Sequence, residues 1–471
     1  MDGRRSCYPR NKPDAARVSA CMRILACLIA TMMTAFAASG EIMVSETLEI
    51  SRVPSEFPVG FSLLTTPEKQ YAAYYDAERN MTVACRDLGS SEWTRQTLPS
   101  RIGWDSHNYV TMALDGEGHL HVSGNMHAVP LIYFRTERPG DITSLGPAKM
   151  IGELEERVTY PRFFHDNEGR LVFTYRHGGS GNGINLYNRY DTKTRAWSRL
   201  LHTPLFDGEG LRNAYPAGPV RGPDGWFHVH WVWRDTPDCA TNSHLSYARS
   251  RDLVHWESAF GQKIDPPIRH DGAALVVDPV PPGGGIINGG HHMLFDSGNK
   301  PVFVYHKSDA GGNMQIHAAR PDGGKWKHRV LTKWDRPVPF GGKGSMPFIG
   351  IHIGSLERAE TDVFVVRYRH KDYGTGSLAF DARTLNPTDK PAPAAAAIPR
   401  ALVKKESSFP GMEIRRVEGQ GSCGEPGVRY VLQWETLGPN HDLARQPPFP
   451  APSTLRVYKI TESARPDLQS E

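Results

Sequence analysis

Two histidines twenty residues apart, His107 and His127, bracket the stretch WDSHNYVTMALDGEGHLHVSGNMH, and a second pair, Tyr160 and Arg176, follows sixteen residues apart. These side chains suit proton transfer beside a negative charge. An imidazole with an unperturbed pKa of about 6.5 can take a proton near neutrality, and a phenol near about 10 can give one. A guanidinium offers a planar fork to a carboxylate. Each histidine alone reads more readily as a packed structural residue than as a catalytic group or a metal ligand. Their placement decides between these readings.

The stretch between the two histidines looks like two short strands joined by a turn at Asp115-Gly116-Glu117-Gly118. A hairpin returns its ends to one place, so both imidazoles should meet there. The plan recurs in FFHDNEGRLVFTYRHG, PVRGPDGWFHVHWVWRD and LFDSGNKPVFVYHKSD, whose turn aspartates are Asp166, Asp224 and Asp296. A second hairpin follows most of these, with Trp197, Trp256 and Trp326 in register and Trp93 in an earlier copy. Four short strands with a tryptophan near the last turn are the mark of a propeller blade. The expected fold is therefore an all-β β-propeller with seven blades of four antiparallel strands. Blades are placed near 60–98, 105–150, 157–201, 213–260, 289–333 and 346–386, with an irregular one at 412–458. The segment SETLEISRV (45–53) could close the ring as a strand of the last blade, and DKPAPAAAAIPR (389–400) reads as a linker.

First-strand starts and second-strand ends share one face of such a fold. That face collects His107, Asn108 and His127, then Tyr160, Arg162, Arg176 and His177, then Asn213, Tyr215 and Arg234, and finally His291, His292 and His306. His, Tyr and Arg recurring at equivalent ends favour a site over isolated core residues. Gly178-Gly179-Ser180-Gly181 keeps side-chain bulk away from the same mouth.

The 55 basic and 51 acidic residues nearly balance, and no long Lys/Arg block suggests a nucleic-acid groove. The run MRILACLIATMMTAFAASG from Met22 has the basic start, apolar middle and small-residue end of a signal peptide. Residues 1–40 are thus read as a signal region, 41–462 as one propeller domain and 463–471 as a tail. The product should be a secreted or periplasmic monomer with no membrane span once the signal is removed. Only Cys85, Cys239 and Cys423 follow that region, an odd number that does not make a disulfide scaffold.

The motifs DSHNY, GNMH, YPRFF, YRHGGSG, NAYPAGP and WVWRDTPDCATNSHLSYARSRD resemble the BNR-repeat-like secreted propellers that include ulvan lyases, from about residue 60 to 330. The resemblance implies a polysaccharide lyase acting by β-elimination on a uronate-containing, ulvan-like acidic polysaccharide. By carry-over, His107, His127, Tyr160 and Arg176 would be catalytic. Arg176 would neutralise the carboxylate, Tyr160 would protonate the leaving oxygen, and His127 would be the base with His107 orienting the acid sugar. The histidines could exchange roles, and Tyr160 could serve as both base and acid. Asn108, His177, Tyr215 and Arg234 are the expected substrate contacts. The resembling lyases hold a structural zinc, and Cys239, His244, His291 and His306 would be its ligands here.

Two other functions fit parts of the pattern. SRDLVHW and RPDGGKW approach the Asp-box of sialidases, and Asp105 and Asp235 could supply a hydrolase's carboxylates. A non-catalytic carbohydrate-binding propeller would keep the aromatics and arginines without needing both histidines.

Overall fold

The computed structural model describes residues 42–388 and 399–462. The expected signal region, most of the 389–400 linker and the C-terminal tail lie outside the described residues. Ile42–Glu462 makes one compact unit. The fold is an all-β propeller, and α-helix among the described residues is limited to the single turn Arg400–Val403.

The aspartate of each repeat explains why the chain turns where it does. Oδ1 of Asp115 accepts from the backbone N–H of Glu117 and of His119, both at 2.9 Å. Asp166 does the same for Glu168 and Arg170, and Asp296 for Gly298 and Lys300. The carboxylate thus satisfies donors that the reversing chain would otherwise leave unpaired. The last turn position is left-handed, as at Gly118 (φ 82°) and Asn299 (φ 60°). Asp224 is different. Its turn opens two residues earlier, at Gly222, and the Asp224 side chain receives the N–H of Trp226 instead.

Seven sheets form among the described residues. Three have the expected four strands, and one of these is Val110–Leu114, Leu120–Gly124, Tyr133–Thr136 and Leu145–Pro147. The sheet Ile351–Glu360, Val363–His370 and Gly374–Asp381 has only three, and the remainder gain short extra strands. One extra strand matters for the site. The chain leaves its own sheet after Gly124, and His127–Val129 pairs with Val158–His165 of the next sheet, with Thr159 opposite His127. His127 is thereby carried across a sheet boundary toward Tyr160.

Inner strands pack against neighbours on both faces and so lose the alternation of a half-exposed strand. All eight residues of Phe227–Arg234 (FHVHWVWR) are buried. The ring closes through the N-terminal strand Ile42–Val53, which pairs antiparallel with Ser453–Glu462. Ile50 and Val53 share one core with Tyr74, Val110, Leu432 and Leu455, and Arg95 donates twice to the Ile50 carbonyl, at 3.0 and 2.6 Å.

That closure makes Ile50, 1% exposed, a test position. Ile50→Ala should cost about 2–4 kcal/mol in denaturant unfolding, and a loss below about 0.5 kcal/mol would mean that the closing strand contributes little.

Candidate functional site

The site begins with a carboxylate. Asp105 lies just before the strand Val110–Leu114, and its two oxygens hold two imidazoles. His107 Nδ1 donates to Oδ1 at 2.8 Å and His127 Nδ1 donates to Oδ2 at 2.5 Å. The two rings lie 4.5 Å apart. His107 has a second acidic partner, Asp442, with Nδ1 to Oδ2 at 3.1 Å. Asp442 is fixed in turn by the N–H and hydroxyl of Ser106 and by the N–H of Ser345.

These contacts set the charges. Burial opposes a charged His107, but the hydrogen bonds to Asp105 and Asp442 prevail and hold its pKa up at about 9. Burial would raise Asp105, yet its bonds to the two histidines hold it well below the usual carboxylate range. Asp442 is likewise lowered, against burial, by His107 and Ser106. At neutral pH the cluster is two carboxylates around a cationic His107, with His127 held by one carboxylate only.

Tyr160 stands beside them, its ring 5.9 Å from that of His107. It sits in a bulge between Thr159 and Arg162 with φ at 57°, a left-handed conformation uncommon for a bulky side chain. Tyr109 steadies the bulge by donating to the Pro161 carbonyl at 3.0 Å. Burial raises the Tyr160 pKa, and Tyr215 adds to this while Arg176 opposes it. The phenol is therefore protonated at neutral pH.

Arg176 is 1% exposed and lies behind the tyrosines. Its guanidinium carbon is 4.9 Å from the Tyr160 ring centroid, and its Nη2 donates to Thr159 Oγ1 at 3.1 Å. Thr159 Oγ1 also accepts the N–H of Ala128 at 2.8 Å, so one hydroxyl ties the His127 strand to the arginine. Gly183 makes room for this arrangement, since a Cβ there would come within 2.6 Å of Asn213 and 3.1 Å of Arg176.

A cavity of about 1350 Å³ is lined by Asp105, His107, His127, Tyr160, Ser180, Tyr215 and Arg234 on one part of its wall. Of the four residues expected to be catalytic, His107, His127 and Tyr160 meet at this wall, and Arg176 is packed beneath it. Of the expected substrate contacts, Tyr215 and Arg234 line the cavity. Tyr215 shares a 2.5 Å hydrogen bond with Ser180, and Arg234 donates to the carbonyls of Thr236 and Pro237. Asn108 and His177 are not part of the wall. Asn108 donates to Asn125 at 3.2 Å and its carbonyl accepts from Tyr75, a structural use. His177 lies opposite Val158 in the sheet and leaves a buried Nδ1 without a partner. Asp442 and the segment 343–353 carry no motif, and only the folded chain brings them here, whereas Ser180 belongs to the glycine-rich segment already expected at this mouth.

The expected zinc ligands do not assemble. No three of Cys239, His244, His291 and His306 bring ligand atoms within 4.8 Å of one another. His244 faces His270 at 3.1 Å, His291 shares a hydrogen bond with His230 at 2.8 Å, and His306 donates to the Gly285 carbonyl. Cys239 is a buried free thiol in the short turn Cys239–Thr241. Among the described residues the donor set that could hold a metal ion is Asp105, His107 and His127. In this structure the Nδ1 atoms of both histidines donate to Asp105, so a metal held there would have to displace those hydrogen bonds.

Comparison with known proteins follows the same lines. A 62-residue stretch is 46% identical to the long isoform of an ulvan lyase from Glaciecola sp. (strain KUL10), covering 13% of this chain and 6% of that protein. The chain thus matches only a small part of that relative's length. The crystal structure of the polysaccharide lyase Uly1 superposes with a TM-score of 0.59 at 12% identity, over 89% of this chain and 99% of that one. A PL25 ulvan lyase bound to -[GlcA(1-4)Rha3S]- superposes with a TM-score of 0.56 at 12% identity, over 88% and 96%. At such identity these two likenesses speak for the fold alone. Residues 69–334, more than half of the chain, match the model of the BNR repeat-containing family, and the protein belongs to that family.

Proposed function

We propose that this cavity is the active site of a polysaccharide lyase that cleaves a uronate-containing, ulvan-like acidic polysaccharide by β-elimination. The observation that carries the reading is one carboxylate, Asp105, holding two imidazoles in different charge environments beside a neutral tyrosine. Names of similar proteins agree with it, and one structural neighbour holds a glucuronate–sulfated rhamnose oligomer.

Elimination breaks the C5–H bond, forms the C4=C5 double bond and expels the oxygen on C4. His127 uses Nδ1–H to bond Asp105, which leaves Nε2 free to take the C5 proton. Tyr160 reaches the site as a protonated phenol and gives its proton to the departing oxygen. His107, kept cationic, faces the carboxylate whose charge rises as the C5 proton leaves. Arg234 supplies a second cation at the wall. In this scheme Arg176 positions Tyr160 and Thr159 from beneath, rather than touching the sugar as the resemblance implies.

The carboxylates argue against a hydrolase of the common kind, which needs one carboxylic acid protonated. Asp105 and Asp442 are both held ionised by His107, and Asp235 is paired with Arg212 at 3.3 Å. A polymer of this kind is met outside the cytoplasm, which accords with the signal region expected at 1–40.

Two predictions follow from the geometry. Tyr160→Phe keeps the ring but not the proton, so folded variant protein should release ultraviolet-absorbing unsaturated sugar from ulvan at least about 100-fold more slowly. Wild-type release by that variant would refute the assignment, and reducing ends without the chromophore would indicate a hydrolase. Asp442→Asn removes one of the two carboxylates on His107. Its imidazole pKa, followed by NMR, should fall from about 9 toward the ordinary 6.5. Because folding raises this pKa, His107 contributes stability fully below about pH 6.5 and loses it as pH climbs through about 9, so the variant should lose most relative stability on the acid side of that window. An unchanged His107 titration would show that Asp442 is not its partner in solution.

A further inference from the structure

The same cavity has a second stretch of wall, built by residues 343–353 and the strand Val363–His370 of the three-stranded sheet. Its charges do not balance. The acids that line the cavity are already engaged: Asp105 and Asp442 with the histidines, and Glu413 with Arg415 at 3.0 Å. Lys343 and Arg369 also line it, are exposed, and have no carboxylate partner among the described residues. Arg369 stands directly across the strand pair from His352, another lining residue, and lowers its proton affinity in addition to burial. Burial and Arg369 both disfavour the charged form of His352, so the strand pair gives Arg369 neither an acid nor a second cation. The arginine is nonetheless held in place, its guanidinium carbon 3.9 Å from the ring centroid of Phe348, a residue that is 42% exposed.

An exposed flat ring beside uncompensated cations is suited to the apolar face of a pyranose that carries an anionic group. The cavity, about 1350 Å³, also exceeds the roughly 300–1,000 Å³ that encloses a drug-sized ligand, which leaves room for more than one sugar. We infer that Lys343, Arg369 and Phe348 form a second anion subsite, which holds a further charged sugar unit of the polymer apart from the unit being cleaved. The inference rests on the lyase reading for the identity of the polymer. The anion is a carboxylate or a sulfate ester, since either accepts the arginine fork.

The test is steady-state cleavage of ulvan by Arg369→Gln, Lys343→Gln and the double variant, with binding of the same polymer measured by calorimetry. The subsite predicts KM raised about tenfold or more in the double variant with kcat within about twofold, because the lost contact serves binding and not the reacting atoms. Chemically desulfated polymer separates the sources. A sulfate subsite makes wild-type KM rise to that of the variants, whereas a carboxylate subsite leaves the ratio between them intact. Double-variant protein with wild-type KM and wild-type affinity would overturn the subsite, as would a fall in kcat alone. If wild-type protein binds ulvan without cleaving it, the lyase reading fails, and the calorimetric loss in the variants still decides the subsite.

Discussion

One carboxylate between two imidazoles organises the site. The rings of His107 and His127 are 4.5 Å apart, a separation at which two uncompensated cations would repel strongly. Asp105 makes the approach favourable by accepting from both. Asp442 then breaks the symmetry. It touches His107 and leaves His127 alone, so two chemically identical side chains stand in different surroundings and can take different parts in a proton transfer. The fixed partners of Asp442, Ser106 and Ser345, join that asymmetry to loops of separate sheets.

The framework bears costs to hold this arrangement. Tyr160 adopts a left-handed backbone, and Arg176 is buried with its Nε unpaired. Strain and incomplete hydrogen bonding of this kind persist where surrounding structure fixes them, commonly at functional sites. Here the surroundings are specific. Thr159 joins Arg176 to the His127 strand, Tyr109 pins the bulge, and the absence of a side chain at Gly183 leaves room for the arginine beside the tyrosines.

Much of the propeller was legible in the sequence because its repeat has a local cause. An aspartate that closes a turn through its own side chain leaves the same pattern wherever it acts, as at Asp115, Asp166 and Asp296. Asp224 matches that pattern in sequence but serves a turn that starts at Gly222, because alignment by residue type does not report which carbonyl closes the turn. The meeting of His107, His127 and Tyr160 was also foreseeable from hairpin ends. The mechanism of the meeting was not, since His127 arrives by pairing with the next sheet. Depth along a strand was the main blind spot. Arg176 and His177 are adjacent in sequence to the expected mouth, yet one is packed beneath the wall and the other is absent from it. The expected zinc set failed for a related reason: equivalent strand ends in neighbouring sheets need not converge to a metal's bonding distance. Asp442 has no signal at all, being a loop residue more than three hundred positions from the histidine it charges.

The division of labour between the two histidines depends on Asp105, and the most direct measurement is the saturated turnover of Asp105→Asn on an acidic uronate polymer. An asparagine keeps the shape but no longer charges or orients the imidazoles as the carboxylate does. The account predicts a fall of about 10³–10⁴-fold in kcat by a protein that still melts cooperatively near the wild-type temperature. Turnover within about tenfold of wild type, from equally folded protein, would contradict it.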